Sequence, residues 1–151
     1  MLQATGAQPS PESGPIRVVI VDDHAVFADA LALLLDREPR VEVVGVAASA
    51  LEGVDLAVGC EADVVLMDVG LPRIDGLEGT RRLRKLRPEA SVIILSGFDR
   101  DELRAEAERA GAAEVLTKGF IHDTVVDAIL DSVRGDNADD LSGRDGLTDR
   151  N

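Results

Sequence analysis

Aromatic residues are nearly absent from this chain, which has three phenylalanines and neither tryptophan nor tyrosine among its 151 residues. Hydrophobic residues nevertheless make up 45% of the sequence, so aliphatic side chains have to build the core. The length suits one domain with a substantial core and excludes two domains of ordinary size.

Cysteine, positive charge and long apolar runs are scarce as well. The single cysteine, Cys60, excludes an intramolecular disulfide and suggests a reducing compartment; we interpret it as a small, partly buried side chain. A formal net charge of -13 argues against binding of nucleic acid by this chain and suits a site that attracts cations. No run approaches the roughly 18 apolar residues of a membrane span, and the first residues lack the basic and apolar parts of a secretory signal. We therefore expect a cytoplasmic protein with no membrane partner.

Composition divides the chain into three parts. Residues 1–15 are rich in proline, serine, glycine and glutamine and are predicted to form a disordered N-terminal arm. Residues 135–151 are acidic, glycine-rich and poor in large apolar side chains, which is typical of a linker or tail. The folded domain is therefore expected over residues 16–134.

Within that domain, short apolar runs alternate with segments that carry apolar residues at helical spacing. The alternation predicts five strands and five helices, and hence a doubly wound α/β fold with right-handed crossovers. The fourth helix is expected over residues 99–110, capped by Asp99, and the fifth over residues 121–134. The predicted strands are Ile16–Val21, Val41–Ala47, Val64–Asp68, Ser91–Ser96 and Glu114–Thr117.

Five polar residues lie at the ends of the predicted strands: Asp22, Asp23, Asp68, Ser96 and Lys118. In an open parallel sheet, ligands bind beyond the carboxyl ends of the strands, so these side chains are expected to share one shallow pocket. Three carboxylates, a hydroxyl and an ammonium can hold a divalent cation and transfer a phosphoryl group. The sequence therefore predicts that chemistry.

Each residue has a candidate role and an ordinary alternative. Clustered carboxylates repel one another unless a cation such as Mg²⁺ is present, although Asp22 and Asp23 could simply end a strand and cap a helix. Asp68 is the candidate nucleophile for an aspartyl phosphate, and Lys118 and Ser96 would contact the phosphoryl oxygens. Taken alone, Lys118 could be a solvated lysine and Ser96 a turn residue. Their occurrence in order on successive strands favours the site.

Four segments, VDDH, LMDVGLPRIDG, ILSGF and VLTKGF, resemble the motifs of receiver domains of two-component response regulators, most closely those of the NarL/FixJ subfamily. The resemblance covers residues 16–134. It implies the flavodoxin-like, CheY-like fold, a five-stranded parallel sheet in the order 2-1-3-4-5. It also implies a signalling protein that catalyses only its own phosphorylation and dephosphorylation.

The resemblance assigns roles to individual positions. A sensor histidine kinase would phosphorylate Asp68. The Mg²⁺ cofactor would be held by the acidic pair and Asp68, together with a backbone carbonyl, so that the implied metal set is Asp22, Asp23, Asp68 and Gly70. Lys118 would bind the phosphoryl group, and the hydroxyl of Ser96 would act as the switch. Phosphorylation would then change the surface of the fourth helix, fifth strand and fifth helix, through which a homodimer could form.

The sequence departs from the family pattern at two positions. Ala25 follows DDH where many members of the subfamily have proline, which is a mild change. Val115, three residues before Lys118, occupies the position of the switch aromatic. The phosphorylation chemistry does not require that ring, but the coupling of Ser96 to the output surface does.

The last residues carry a weaker resemblance. Leu147, Thr148, Asp149 and Arg150 are similar to the L-T-x-R-E opening of a LuxR-type DNA-binding domain, with Asn151 in place of glutamate. The receiver would then control a DNA-binding output domain in transcription regulation, although the domain itself would bind no nucleic acid. The alternative is a stand-alone regulator with an acidic tail.

Other functions fit the sequence less well. A haloacid-dehalogenase-like phosphohydrolase needs a second acid two residues after the nucleophile, where this chain has Gly70. Nucleotide binding of the Rossmann or P-loop type is disfavoured because neither glycine motif follows the first strand. A degenerate receiver that binds partners without phosphorylation stays open. His24 is interpreted as a helix-start residue, and the basic run RRLRKLR as a solvated helix face.

Overall fold

A computed structural model describes residues 14–98 and 101–142, with side chains up to residue 134. The predicted alternation of strands and helices is confirmed. In chain order, the elements are β1 (Ile16–Val21), α1 (Ala25–Asp36), β2 (Val41–Ala47), α2 (Ala50–Gly59), β3 (Val64–Asp68), α3 (Gly76–Leu86), β4 (Ser91–Ser96), α4 (Asp101–Ala110), β5 (Glu114–Thr117), a 3₁₀ turn (Lys118–Phe120) and α5 (Ile121–Ser142).

All five strands pair in parallel, in the order β2-β1-β3-β4-β5. This is the predicted 2-1-3-4-5 sheet, so the fold class is confirmed. The central strands are apolar along their whole length because helices cover both faces of the sheet; every residue of β3 and β4 is buried. The strand order reverses between β1 and β3, and their carboxyl ends therefore flank the crevice where such sheets bind ligands.

The core has two layers, one on each face of the sheet. Val18 and Ile20 of β1 face the layer formed with α1 and α5, whereas Val19 and Val21 face the layer formed with α2, α3 and α4. Alternate residues of one strand thus enter opposite cores, as the strand geometry requires. The buried hydrophobic side chains of the described residues are all aliphatic or methionine, as the composition predicts.

The last helix differs from the prediction. It was expected to end at residue 134, but α5 continues to Ser142. Gly135 weakens a helix by about 1 kcal/mol relative to alanine without ending it, and no proline follows in the segment. Part of the segment predicted as a linker is therefore helical, while the domain boundary itself stays a prediction.

Several predictions concern residues outside the described part of the chain. The predicted cap Asp99, most of the arm over residues 1–15 and the motif Leu147–Arg150 fall there. Within the described part, α4 begins at Asp101. None of the helices between residues 14 and 142 combines the length and the apolarity needed to cross a membrane.

A glycine determines how closely α3 approaches the pocket end of β3. A Cβ atom at Gly76 would collide with the backbone carbonyl of Asp68. The amide of Gly76 also donates a hydrogen bond of 3.1 Å to the carbonyl of Val69, which closes the β3–α3 loop on itself. Asp75 caps the helix by accepting a 2.9 Å hydrogen bond from the amide of Glu78. The loop after Asp68 is thereby held close to the strand end.

Candidate phosphoryl-transfer site

Three carboxylates meet at the carboxyl ends of β1 and β3. Val21 pairs with Met67 across these strands, so the residues that follow, Asp22 and Asp68, are neighbours. Both are buried, at 2% and 4% exposure, whereas Asp23 points outward and is exposed. One ligand atom from each of Asp22, Asp23, His24 and Asp68 lies within 4.8 Å of the others. The structure therefore brings together the carboxylates that the sequence placed at separate strand ends.

Lys118 reaches the same pocket from the far side of β4. It begins the 3₁₀ turn after β5, and its side chain is only 17% exposed. The Nζ atom lies 2.8 Å from Oδ2 of Asp22 and 3.2 Å from Oδ1 of Asp68. One ammonium thus neutralises part of the charge of both buried carboxylates.

Burial sets the acid–base properties of the pocket. It raises the pKa of Asp68, and the charge of Asp22 raises it further; Lys118 and the backbone amide of Gly70 oppose the shift without cancelling it. Burial alone would lower the pKa of Lys118, but its contacts with Asp22 and Asp68 outweigh that effect and raise this pKa. The ammonium is therefore held charged beside a carboxylate whose negative charge is incompletely compensated.

The two buried carboxylates share one ammonium. Oδ2 of Asp22 has the Lys118 Nζ at 2.8 Å and no other hydrogen-bond partner among the described residues, and the same Nζ lies 3.2 Å from Oδ1 of Asp68. Buried carboxylates are costly unless positive charge compensates them, and here two carboxylates face a single ammonium. Oxygen donors of this kind are the ligands that Mg²⁺ prefers. The donor set therefore fits a divalent cation.

Gly70 lies beside the phosphoacceptor candidate. Its backbone amide lies near the Asp68 carboxylate and lowers the pKa of that carboxyl. The sequence-based expectation concerned the carbonyl of Gly70 as a metal ligand, and this role stays a prediction. The amide contact shows that the backbone of the loop reaches the Asp68 side chain.

Ser96 is at the end of β4, as predicted, but its hydroxyl is directed to the following loop. The side chain is buried, its Oγ donates a 2.7 Å hydrogen bond to the carbonyl of Phe98, and it accepts a 3.1 Å bond from the amide of Phe98. Among the described residues, the hydroxyl makes no hydrogen bond to Asp68 or Lys118. No described hydrogen bond therefore links Ser96 to the other four predicted site residues, and its role as the switch stays a prediction.

Two further residues belong to the pocket and were not assigned a site role from the sequence. The Phe27 ring of α1 lies 4.6 Å from Nζ of Lys118, measured to the ring centroid. His24, the residue before α1, places Nδ1 3.1 Å from Oδ1 of Asp22. Phe27 lies in the first turn of α1, four residues after Asp23, and this closeness in sequence was the available signal for its position at the pocket.

Val115 lines a groove on the surface of the domain. The residue is buried in β5, and the groove of about 310 Å³ lies between β5 and α4. Arg104 and Glu108 line the groove on the helix side, and Glu114 lines it on the strand side. Burial, followed by the charge of Asp131, raises the pKa of Glu114, while Arg104 opposes the shift. No aromatic side chain lines this groove.

Comparisons with known proteins agree with the geometry. The family described as the response regulator receiver domain matches residues 18–130. The transcriptional regulatory protein LiaR of Bacillus subtilis is 35% identical over 121 residues, which are 80% of this chain and 57% of that protein. The response regulator GacA of Pseudomonas aeruginosa is 36% identical over 114 residues, which are 76% of this chain and 53% of that protein.

A solved structure gives the same result. The signal receiver domain of the response regulator NarL from Mycobacterium tuberculosis superimposes with a TM-score of 0.77 at 30% identity, covering 81% of this chain and 98% of that one. The chain spans about half the length of the curated relatives it matches. These relatives are named as response regulators and transcriptional regulators, not as enzymes with an external substrate.

Proposed function

We propose a function from one premise: this chain belongs to the family of response regulator receiver domains of two-component systems. The domain accepts a phosphoryl group on Asp68 from the phosphohistidine of a sensor histidine kinase, with Mg²⁺ as cofactor. The observation that carries the proposal is the position of Lys118, whose ammonium contacts the buried carboxylates of Asp22 and Asp68 at once. Such a group is placed to receive phosphoryl oxygens at Asp68.

The pocket holds the ligands that the cofactor needs. Asp22, Asp23 and Asp68 would supply carboxylate oxygens, and Gly70 its backbone carbonyl. The clustering of ligand atoms from these carboxylates within 4.8 Å of one another supports this assignment. When bound, Mg²⁺ supplies positive charge that offsets the negative charge gathered by the carboxylates and the phosphoryl oxygens.

Asp68 and Lys118 have different roles in the phosphoryl transfer. A carboxylate oxygen of Asp68 attacks phosphorus; the O–P bond forms as the P–N bond of the phosphohistidine breaks, and its electron pair returns to the imidazole. Lys118 stabilises the negative charge on the phosphoryl oxygens. Burial of Asp68 excludes bulk water from the nucleophile. In the later hydrolysis, water attacks phosphorus, the O–P bond to Asp68 breaks, and inorganic phosphate leaves the restored carboxylate.

Phosphorylation would change the output surface of the domain because it adds negative charge at Asp68. Ser96 would exchange its hydrogen bonds with Phe98 for one to a phosphoryl oxygen, and this exchange would release the loop between β4 and α4. The surface of α4, β5 and α5 would then favour a homodimer or another partner. Because relatives of about twice this length are named transcriptional regulatory proteins, the full-length protein would act in the cytoplasm and regulate transcription through a DNA-binding domain that follows the receiver.

The test is direct labelling. Incubation with Mg²⁺ and acetyl phosphate or phosphoramidate is expected to add the mass of one phosphoryl group, in an acid-stable, base-labile linkage that Asp68→Asn abolishes. Asp55→Asn, at an exposed position on α2, is the matched control and should label as the wild type does. Absence of labelling under saturating donor would refute phosphorylation and leave a partner-binding module. Sustained turnover of phosphate esters would instead indicate a hydrolase.

A further inference from the structure

Helix α3 carries a concentration of positive charge in an otherwise acidic chain. The sequence has 29 acidic and 16 basic residues, and five of the basic ones fall within residues 81–87. No acidic residue lies between Gly79 and Pro88. The helix therefore forms a local region of positive potential on a protein whose formal net charge is -13.

Two of the five basic side chains turn inward and hold the end of the helix. Nη1 of Arg84 donates hydrogen bonds to the carbonyls of Pro88 and Ala90. Nε of Arg87 donates a 2.8 Å hydrogen bond to the carbonyl of Ala62. Both arginines therefore have a structural role. The other three basic side chains are exposed: Arg81, Arg82 and Lys85.

The three exposed cations lie on one face of α3, because helical positions three and four residues apart are neighbours. Arg81 and Arg82 are 50% and 46% exposed, and both pair with Glu78, at 3.0 Å and 3.1 Å. Lys85 has no ion-pair partner among the described residues. Ion pairs between exposed groups contribute less than about 1 kcal/mol, so these arginines can exchange Glu78 for carboxylates of another molecule.

An exposed leucine borders the three cations. Leu86, the last residue of α3, is 63% exposed and lies one helical turn after Arg82. We define the α3 strip as Arg81, Arg82, Lys85 and Leu86. The strip offers three positive charges and one apolar contact, and arginine clusters of this kind recognise acidic protein segments.

We propose that the α3 strip docks an acidic segment of a partner protein, with carboxylates on Arg81 and Arg82 and an apolar side chain on Leu86. Nucleic acid and anionic membranes fit less well, because they would bring many negative charges against the net charge of -13. A short segment contacts the strip alone, and charges of the domain beyond about 10 Å are screened from it. The inference does not require phosphorylation of Asp68, because none of the proposed phosphoryl-transfer residues lies on α3.

The experiment uses the full chain and a fluorescein-labelled peptide in which pairs of glutamate alternate with pairs of leucine. Fluorescence anisotropy is expected to show binding at low ionic strength that weakens as salt is added. Arg81→Gln combined with Arg82→Gln should weaken binding by about fivefold or more, because two charge-assisted contacts are lost. The matched control is Arg40→Gln combined with Arg134→Gln, which removes two exposed arginines that also pair with a neighbouring acid. This control should change binding by less than about twofold.

Two further measurements separate docking from a change in the fold. In nuclear magnetic resonance spectra of the isotopically labelled chain, the peptide should shift the backbone amides of residues 81–86 most. Arg81→Lys combined with Arg82→Lys keeps both charges and should retain binding within about threefold of the wild type. Circular dichroism should show the same helix content in the wild type and in both α3 variants.

Three results would overturn the proposal: no binding of the peptide at low ionic strength, equal affinity of the wild type and the glutamine variant of α3, or largest amide shifts outside α3. Duplex DNA and vesicles that contain phosphatidylserine are the competing ligands. Tighter binding of either one than of the peptide would assign the strip to that polyanion and also overturn the proposal. Labelling of Asp68 is not part of the measurement, so the proposed phosphoryl transfer and the proposed docking can fail separately.

Discussion

The ammonium of Lys118 lies 4.6 Å from the centroid of the Phe27 ring, which places the charge between an aromatic face on α1 and the carboxylates at the ends of β1 and β3. An aromatic face attracts a cation, and the attraction grows when both groups are partly desolvated. Phe27 therefore holds the lysine that the transfer needs without touching the phosphoryl group itself. It is a positioning residue of the pocket.

Replacement of Phe27 tests this relationship. Phe27→Leu keeps an apolar side chain at this position of α1 and removes the aromatic face. The cation–π attraction that holds Lys118 is thereby lost, and a loss of about 1 kcal/mol should slow labelling of Asp68 by acetyl phosphate about fivefold. Phe120→Leu, at an exposed position, is the matched control and should label at the wild-type rate. A wild-type rate for Phe27→Leu would show that Lys118 is positioned by the carboxylates alone.

Removal of the ammonium should affect chemistry far more. Lys118→Gln deletes the charge that opposes the raised pKa of Asp68, so this pKa should rise further and the nucleophile should be protonated over a wider pH range. With the stabilisation of the phosphoryl oxygens lost as well, labelling should slow by about 100-fold. The only other lysine is Lys85 on α3, and Lys85→Gln should leave the rate unchanged. Rapid labelling of Lys118→Gln would contradict the assigned role.

The raised pKa of Asp68 predicts how stability depends on pH. The folded protein holds a proton on Asp68 more readily than the unfolded chain does, so stability falls as pH rises from the ordinary pKa of aspartate through the raised one. Asp68→Asn removes this titration and leaves Lys118 paired with Asp22. In urea denaturation, Asp68→Asn should have the higher free energy of unfolding above that window, and the difference should shrink below it.

Asp55→Asn provides the baseline for that comparison, since the exposed residue on α2 should change stability by less than about 0.5 kcal/mol at any pH. If the advantage of Asp68→Asn grew on acidification, or if Asp55→Asn showed the same profile, the pH dependence would not come from burial of Asp68. Mg²⁺ should be absent from these measurements, because a bound cation would compensate the same charge.

The close packing of the start of α3 against Asp68 is expected to depend on the absence of a Cβ atom at Gly76. In Gly76→Ala, the new Cβ would collide with the carbonyl of Asp68, so the helix must shift at a cost of about 2 kcal/mol or more. Gly59→Ala is the matched control because a Cβ at that end of α2 meets no atom within 4 Å. Thermal unfolding should show a large loss for Gly76→Ala and a small change for Gly59→Ala. Equal effects would mean that the collision relaxes freely.

Several features of the site could be predicted from the sequence. Apolar runs that end in Asp22, Asp68, Ser96 and Lys118 are local patterns, and parallel pairing then requires their carboxyl ends to meet at one edge of the sheet. The family was predicted correctly from motifs in these segments, and the correct strand order followed from that resemblance. The aliphatic character of the core followed from composition alone.

Other features could not be predicted. The composition changes after residue 134 and therefore predicted the end of α5 there. A change of composition does not itself end a helix, and α5 runs to Ser142. The sequence also did not predict that the hydroxyl of Ser96 hydrogen-bonds the backbone of Phe98. Its orientation depends on a side-chain rotation, and sequence spacing carries no information about that rotation.

The sequence by itself determined the alternation of strands and helices, the aliphatic layers and the kinds of side chain gathered at the sheet edge, because periodicity and strand polarity are properties of each segment. Only the tertiary structure decided which atoms meet there: Lys118 against Phe27, His24 against Asp22, and Ser96 against the loop that follows it. The physical reason is that such contacts depend on how helices pack on the sheet and on the rotamers that the packing selects. These are joint properties of elements far apart in the chain.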